Sequence, residues 1–157
     1  MAEENQAPEK NISIAKIYIK DFSFESPMTP DVFKANEWSP QTNLNLRSTQ
    51  TEFEEGVYEI VLTITIDAKD DDKTLFLVEI SQAGLFEIRG YDEEEQKAII
   101  GSYAPSLLFP YARQAISAMI QNGGFPEFIL QPMNFDALYM RSQQQAAQAE
   151  AQGEEKH

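Results

Sequence analysis

Cysteine is absent from this chain of 157 residues, and its only histidine is the final residue, His157. Without cysteine neither a disulfide nor a thiolate metal site can form, which fits a reducing compartment and an expected cytoplasmic location. A catalytic triad or a zinc centre needs an imidazole or thiolate held rigidly, and a terminal residue does not supply one. Positive charge is also scarce: 12 Lys and Arg stand against 26 Asp and Glu, a net charge of −14. Such a chain repels nucleic acid and anionic membrane surfaces and attracts basic partners. No apolar run approaches the about 18 residues of a membrane-spanning helix. The opening MAEENQAPEKN has neither the basic region nor the apolar stretch of a secretory signal, so the chain is expected to stay where it is made.

What is present is bulky and apolar. With 10 Phe, 6 Tyr and 5 Met the chain does not have the composition of a disordered protein, and its length suits one domain able to bury roughly two thirds of its unfolded surface. Residues 12–26 (ISIAKIYIKDFSFES) read as a long strand of period two. Ile14, Lys16, Tyr18, Lys20, Phe22 and Phe24 fall on one face, and Ile17, Ile19, Asp21, Ser23 and Glu25 on the other. A proline-rich connection with Phe33 and the single Trp38 follows, long enough to suggest a functional loop. Residues 41–47 alternate around Leu44 and Leu46. Residues 57–67 point Tyr58, Ile60, Leu62, Ile64 and Ile66 inward, and residues 74–82 put Phe76, Val78 and Ile80 on the core face and Leu75, Leu77 and Glu79 opposite. The expected class is α+β, a four-stranded antiparallel sheet with helices packed on one face.

Asp92 and Glu95 have capping-box spacing, which predicts a short helix ending near Gly101. A main helix then runs to about Asn122, stopped by Gly123 and Gly124, with Pro110 in its first turn or kinking it. Its apolar stripe is read as Leu108, Tyr111, Ala115, Ile116 and Met119, a pattern that points to binding of apolar partners more than to catalysis. Asn134 caps a final helix from Phe135, whose apolar edge of Phe135, Leu138 and Tyr139 is lost beyond Arg141. The organisation expected is a flexible arm over residues 1–11, a domain over 12–141 and a disordered acidic tail over 142–157.

No catalytic constellation emerges. Asp21 and Glu25, two pleats apart on one strand, stand about 13 Å from each other, too far to flank one bond. The acidic runs at 70–72 and 93–95 lack the spacing and glycine of a calcium loop, and no glycine-rich phosphate loop is present. No catalytic residue, metal ligand or cofactor site is expected. The competing reading is a small α+β enzyme using carboxylates on a sheet, to be separated by whether the protein turns over a substrate or keeps unfolded polypeptides from aggregating.

Four co-linear segments carry a resemblance: KIYIKDFSFESP (16–27), LFPYAR (108–113), GGFPEFIL (123–130) and QPMNFDALY (131–139). Together they are similar to the SecB family of protein-export chaperones, over most of the chain between Ile12 and Met140. The resemblance implies a homotetramer, a dimer of dimers, that holds preproteins unfolded in the cytoplasm and delivers them to the SecA motor without using nucleotide itself. It implies a sheet with the first strand beside the fourth and a crossover loop leading to the second. Asp21, Glu25, Leu77 and Glu79 then form an acidic patch for the small, basic, zinc-binding C-terminal tail of SecA. Unfolded clients are expected in a groove lined by Trp38, Leu44, Leu46, Ile116, Met119, Ile120, Phe135 and Leu138, and Val78, Ile80 and Gln82 at the oligomer interface. Neither nucleic acid nor direct membrane insertion is expected.

Overall fold

Runs of β-branched and aromatic residues free of proline carry four long strands, β1 (Asn11–Glu25), β2 (Gln41–Glu54), β3 (Val57–Asp70) and β4 (Lys73–Arg89). The computed structural model describes residues 9–34 and 39–154. The strands form one antiparallel sheet in the order β1-β4-β3-β2. β1 is therefore beside β4, and the connection after β1 carries the chain across to the far edge. β3 and β4 meet at a tight turn through Asp71 and Asp72, closed by the pair Asp70 and Lys73. Asp71 takes a φ of 52°, a left-handed conformation that a short polar side chain tolerates.

Two strands outrun their sequence pattern. β2 continues past Arg47 to Glu54 through residues that are exposed on both faces, held by pairing to β3. β4 continues past Gln82 to Arg89 through Ala83 and Gly84, where alternation of large residues lapses. The lapse has a packing cause: a Cβ on Gly84 would stand 3.0 Å from Leu108 Cδ2, so the missing side chain lets a helix approach the sheet.

Strict alternation also fails in β1, because two β-bulges interrupt its pairing, between Ile14 and Lys16 and between Ile19 and Asp21. Each extra residue reverses the phase. Ile12, Ile14, Ile17, Ile19, Phe22 and Phe24 consequently all stand opposite the inward residues of β4, running from Ile88 to Val78. Lys16, Tyr18, Asp21, Ser23 and Glu25 share the other face. The expectation that Ile17 and Ile19 lie with Asp21 and Glu25 is thus corrected. Leu75 changes place too: it is an unpaired residue of β4, 7% exposed and part of the main core rather than of the uncovered face.

Helix α1 (Glu93–Ala98) begins as predicted, with Asp92 Oδ1 accepting from the Glu95 backbone N–H at 2.8 Å. It does not stop near Gly101. A π-helical turn (Ile99–Tyr103) leads straight into α2 (Ala104–Asn122), so one helical path runs from Glu93 to Asn122. The extra residue of the turn lets neighbouring Ile99 and Ile100 both be buried. Pro110 lies inside α2 on its exposed side, and Gly123 and Gly124 end the helix, Gly124 at a φ of 89°. The buried stripe of α2 is Leu108, Ala112, Ile116 and Ile120, at every fourth position, while Tyr111 is 52% exposed.

α2 packs on β3 and β4, over Ile60, Leu62, Ile64, Ile66, Val78, Ile80 and Phe86. At one end of this core Phe24, Phe33, Phe76 and Phe125 form an aromatic cluster with ring centroids 5.0–6.3 Å apart. Helix α3 (Phe135–Glu154) is capped by Asn134 Oδ1, which accepts from Ala137 N at 3.0 Å. It continues to Glu154, where disorder was expected from residue 142. The Ala, Gln and Glu of this stretch lose the apolar edge but keep high intrinsic helix propensity. The end of the expected N-terminal arm is tied down: Lys10 Nζ lies 3.0 Å from Glu95 Oε1 and 5.6 Å above the Tyr91 ring centre.

Candidate functional site

Two surfaces remain once the core is assigned. The first is the face of the sheet away from α2. Here Glu25 pairs directly with Leu77, Ser23 with Glu79 and Asp21 with Ser81, so the four residues expected to form an acidic patch lie on one face across β1 and β4. Leu77 and Glu79 are half-buried; Asp21 and Glu25 are exposed. Glu79 is held in place by Thr65, whose Oγ1 donates to Glu79 Oε2 at 2.7 Å. On the β3 side Leu77 pairs with Asp67, a carboxylate that the sequence reading passed over. Its Oδ2 lies 3.4 Å from Lys69 Nζ, and its Oδ1 is buried with no hydrogen-bond partner among the described residues. Leu77 is thus an apolar spot between acids.

The patch is not uniformly negative. Asp21 borders a shallow depression of about 420 Å³ shared with Lys20 and Arg47, floored by Val61, Thr63 and Ser81. Beside it, Glu59 accepts from Tyr18 Oη and, at 2.8 Å, from Lys20 Nζ. These two donors hold the Glu59 carboxyl below its ordinary value. Burial, then the hydrogen bond to Glu59, pushes the Tyr18 phenol up to about 12.

The second surface is a groove between the outer edge of β2 and the first turns of α3. Leu44, Leu46, Met133, Asn134, Ala137, Leu138 and Arg141 line one part of it, about 490 Å³. It continues, through Leu46 and Leu138, into a second part of about 550 Å³ that reaches Arg47, Lys97, Ile100, Phe135 and Tyr139. Leu44 is 44% exposed and Leu138 38% exposed, so apolar side chains here face open space and not a sealed core. α3 is held in position from below. The Tyr139 ring covers Gly101 in the π-helical turn, leaving no room for a Cβ, and Ser102 Oγ donates to Asp136 Oδ1.

The structure divides the expected groove residues. It brings Leu44, Leu46, Phe135 and Leu138 to the groove, with Phe135 mostly buried at its floor. Ile116 and Ile120 are fully buried under α2 against the sheet, and Met119 packs half-buried on that core, so none of the three lines this groove. Their positions on the helix follow the sheet-facing stripe, which periodicity alone could not distinguish from a partner-facing one. Trp38 lies outside the described residues. The expectation that Val78, Ile80 and Gln82 form an oligomer interface does not stand, since they are 0%, 0% and 3% exposed within the chain itself and have no surface to offer. Gln82 is placed there to donate to the Tyr18 carbonyl at 3.2 Å.

A family model described as preprotein translocase subunit SecB matches residues 4–146. The chain belongs to the SecB family. The protein-export protein SecB of Methylococcus capsulatus is 50% identical over 152 residues, covering 97% of each chain. That of Nitrosococcus oceani is 46% identical over 93% of this chain and 90% of its own. Among solved structures, a SecB-like chaperone of Mycobacterium tuberculosis, in complex with a ChAD peptide of the HigA1 antitoxin, superposes with a TM-score of 0.65 at 15% identity. It covers 78% of this chain and 90% of that one, and so shares the fold.

In this SecB-family chain the groove residues missed by sequence reading are Met133, Ala137, Tyr139 and Arg141. A signal for them was present, since Ala137 and Arg141 repeat at i and i+4 beside Leu138 on α3. Seeing it required knowing that α3 meets the edge of β2 and not the face of the sheet. Among the described residues no cluster of three acidic or histidine side chains is placed to hold a metal ion, and no helix is long and apolar enough to cross a membrane.

Proposed function

We propose that this chain is an export chaperone that holds unfolded preproteins in the groove between β2 and α3 and passes them to SecA, without nucleotide of its own, in the cytoplasm. The observation that carries the reading is the open apolar lining of the groove. Leu44, Leu46 and Leu138 face one another across a trough that the chain does not fill. β2 is an edge strand, so its outer backbone groups are available to an extended segment lying along the trough. Leucine and methionine side chains accept many shapes, which suits broad and weakly selective capture. The peptide-bound state of the SecB-like chaperone of the same fold supports it.

Delivery to SecA is assigned to the acidic sheet face. Asp21, Glu25, Asp67 and Glu79 around Leu77 suit a small basic domain: charge draws it in and the leucine seats it. Assembly as a dimer of dimers is supported by two unpartnered apolar features. Tyr103, at the end of the π-helical turn, and Tyr111 on α2 are 48% and 52% exposed, flanking half-buried Leu107, and Ile14 and Ile19 are 43% and 49% exposed on edge strand β1.

The decisive variant for the groove is Leu44→Arg. It is expected to remain folded by circular dichroism, because a half-exposed arginine keeps its charge in water, yet no longer to delay refolding of a slow-folding preprotein. A variant that still holds preprotein normally removes Leu44 from the site. Light scattering at low micromolar concentration is expected to return four times the chain mass of 17.8 kDa, and a stable monomer would overturn the assembly.

A further inference from the structure

One cross-strand row on the acidic sheet face carries opposite charges at its two ends. Arg47 on β2 stands opposite Thr63, Thr63 opposite Ser81, and Ser81 opposite Asp21 on β1. The row crosses all four strands, so the backbones at its ends lie three strand spacings, about 14 Å, apart. That exceeds the screening length of about 8 Å at physiological salt, and the two charges do not cancel. Lys20, the other cation of the depression here, is bound to Glu59 at 2.8 Å. Arg47 has no carboxylate partner among the described residues. The floor between the charged ends offers a donor as well. Thr63 Oγ1 and Ser81 Oγ lie 3.0 Å apart and share one hydrogen. Neither hydroxyl has a further partner among the described residues, so one O–H is left to donate.

We infer that Arg47 receives an acidic side chain of the docked SecA tail and so sets the tail's orientation across the sheet. The inference rests on the acidic face being the docking surface. Asp21, Glu25, Asp67 and Glu79 draw a basic domain in, but attraction alone does not choose how it lands. Arg47 lies four residues along β2 from Asn43, the residue level with Asp67 and Leu77, a distance of about 13 Å that a small domain spans. With its carboxylate at Arg47, the tail keeps its cations over β4 and β1. Turned around, it sets a cation against Arg47 and a carboxylate against Asp21, and like charges in contact reject that pose. The guanidinium fork suits two carboxylate oxygens at once, with the free hydroxyl of the Thr63 and Ser81 pair beside it. On net charge alone, Arg47 hinders a basic partner and its removal tightens binding; an orienting Arg47 has the opposite sign.

Titration calorimetry of the full-length protein at about 0.15 M salt tests this with two forms of the isolated tail, one native and one with every Asp and Glu changed to its amide. Arg47→Gln should weaken binding of the native tail about two- to fivefold, the range of an exposed ion pair. The amide tail, with nothing to offer Arg47, should bind the variant at least as tightly as it binds the native protein. Circular dichroism and the assembly mass should not change, since Arg47 is exposed. If Arg47→Gln leaves the affinity of the native tail unchanged or raises it, or weakens both tails alike, the orienting role is wrong while docking on the acidic face stands. A tail that carries no acidic side chain would overturn it equally. If Glu79→Lys leaves tail affinity intact, the docking reading fails and this inference with it.

Discussion

The ring of Tyr139 on α3 occupies the space where a side chain at Gly101 would be. The neighbouring bond from Ser102 to Asp136 and the edge contact of the buried Phe135 with Phe109 at 5.6 Å also hold the first turn of α3 to the body. Gly101→Ala should gain about 1 kcal/mol of helix propensity. Displacing Tyr139 should cost about 1–3 kcal/mol as overpacking. The larger effect decides the sign: the melting temperature falls, and hydrogen exchange rises selectively in the first turns of α3. Unchanged exchange there would mean that Tyr139 does not hold the helix.

Stability and holding should separate between two aliphatic residues. Ile116→Ala empties a fully buried site under α2 and is expected to cost about 2–5 kcal/mol. Leu44→Ala, at a residue 44% exposed, should cost less than about 1 kcal/mol while weakening capture of unfolded preprotein. Urea unfolding paired with a refolding-delay assay reads both; equal losses of stability would contradict the assignment of Leu44 to an open groove.

On the sheet face, Glu79→Lys should abolish binding of the basic tail of SecA and leave the assembly mass unaltered. Binding by the native protein should weaken steadily as salt rises, since exposed charges are screened. Asp67→Asn should weaken the same interaction in part. Titration calorimetry against the isolated tail checks all three, and full affinity in the Glu79→Lys protein would remove the patch.

Glu59 provides a pH signature. Its pKa is lowered in the folded chain by Lys20 and Tyr18, so its stabilisation is complete above the unfolded carboxyl value of about 4.3 and is lost as pH falls through the lower folded value. Glu59→Gln should flatten acid unfolding in that window. Tyr18 has the opposite sign. Raised to about 12, it stabilises the fold below the unfolded value of about 10, and that contribution is lost as pH climbs toward 12. Ultraviolet titration of native and Tyr18→Phe proteins should differ by one late-ionising phenol; two superposable curves would refute this.

The class of the fold could be read from alternation in residues 57–67 and from the Asp92 cap, because both signals are local. The phase of β1 could not. Bulges at Ala15 and Lys20 depend on pairing with β4, and period two applied through them assigns Ile17 and Ile19 to the wrong side. Leu108 and Ile116 show the same limit in a helix: spacing reveals a stripe but not whether the sheet or a partner covers it. Leu44, Leu46 and Leu138 were recoverable as apolar residues on β2 and α3. Their meeting across the groove depends on where α3 crosses the sheet edge, which no local pattern encodes.

From Gln144 to Gln152 every residue of α3 is exposed and none lines the groove, so this end of the helix stands clear of the body as a rod about 14 Å long. A projecting rod adds hydrodynamic drag out of proportion to its mass. The protein should therefore elute from a sizing column ahead of its true molecular weight, and sediment more slowly than a sphere of equal mass. A subunit count taken from elution volume alone would come out too high. Removing residues 142–157 should bring the Stokes radius back toward that of a compact particle by more than the lost mass explains.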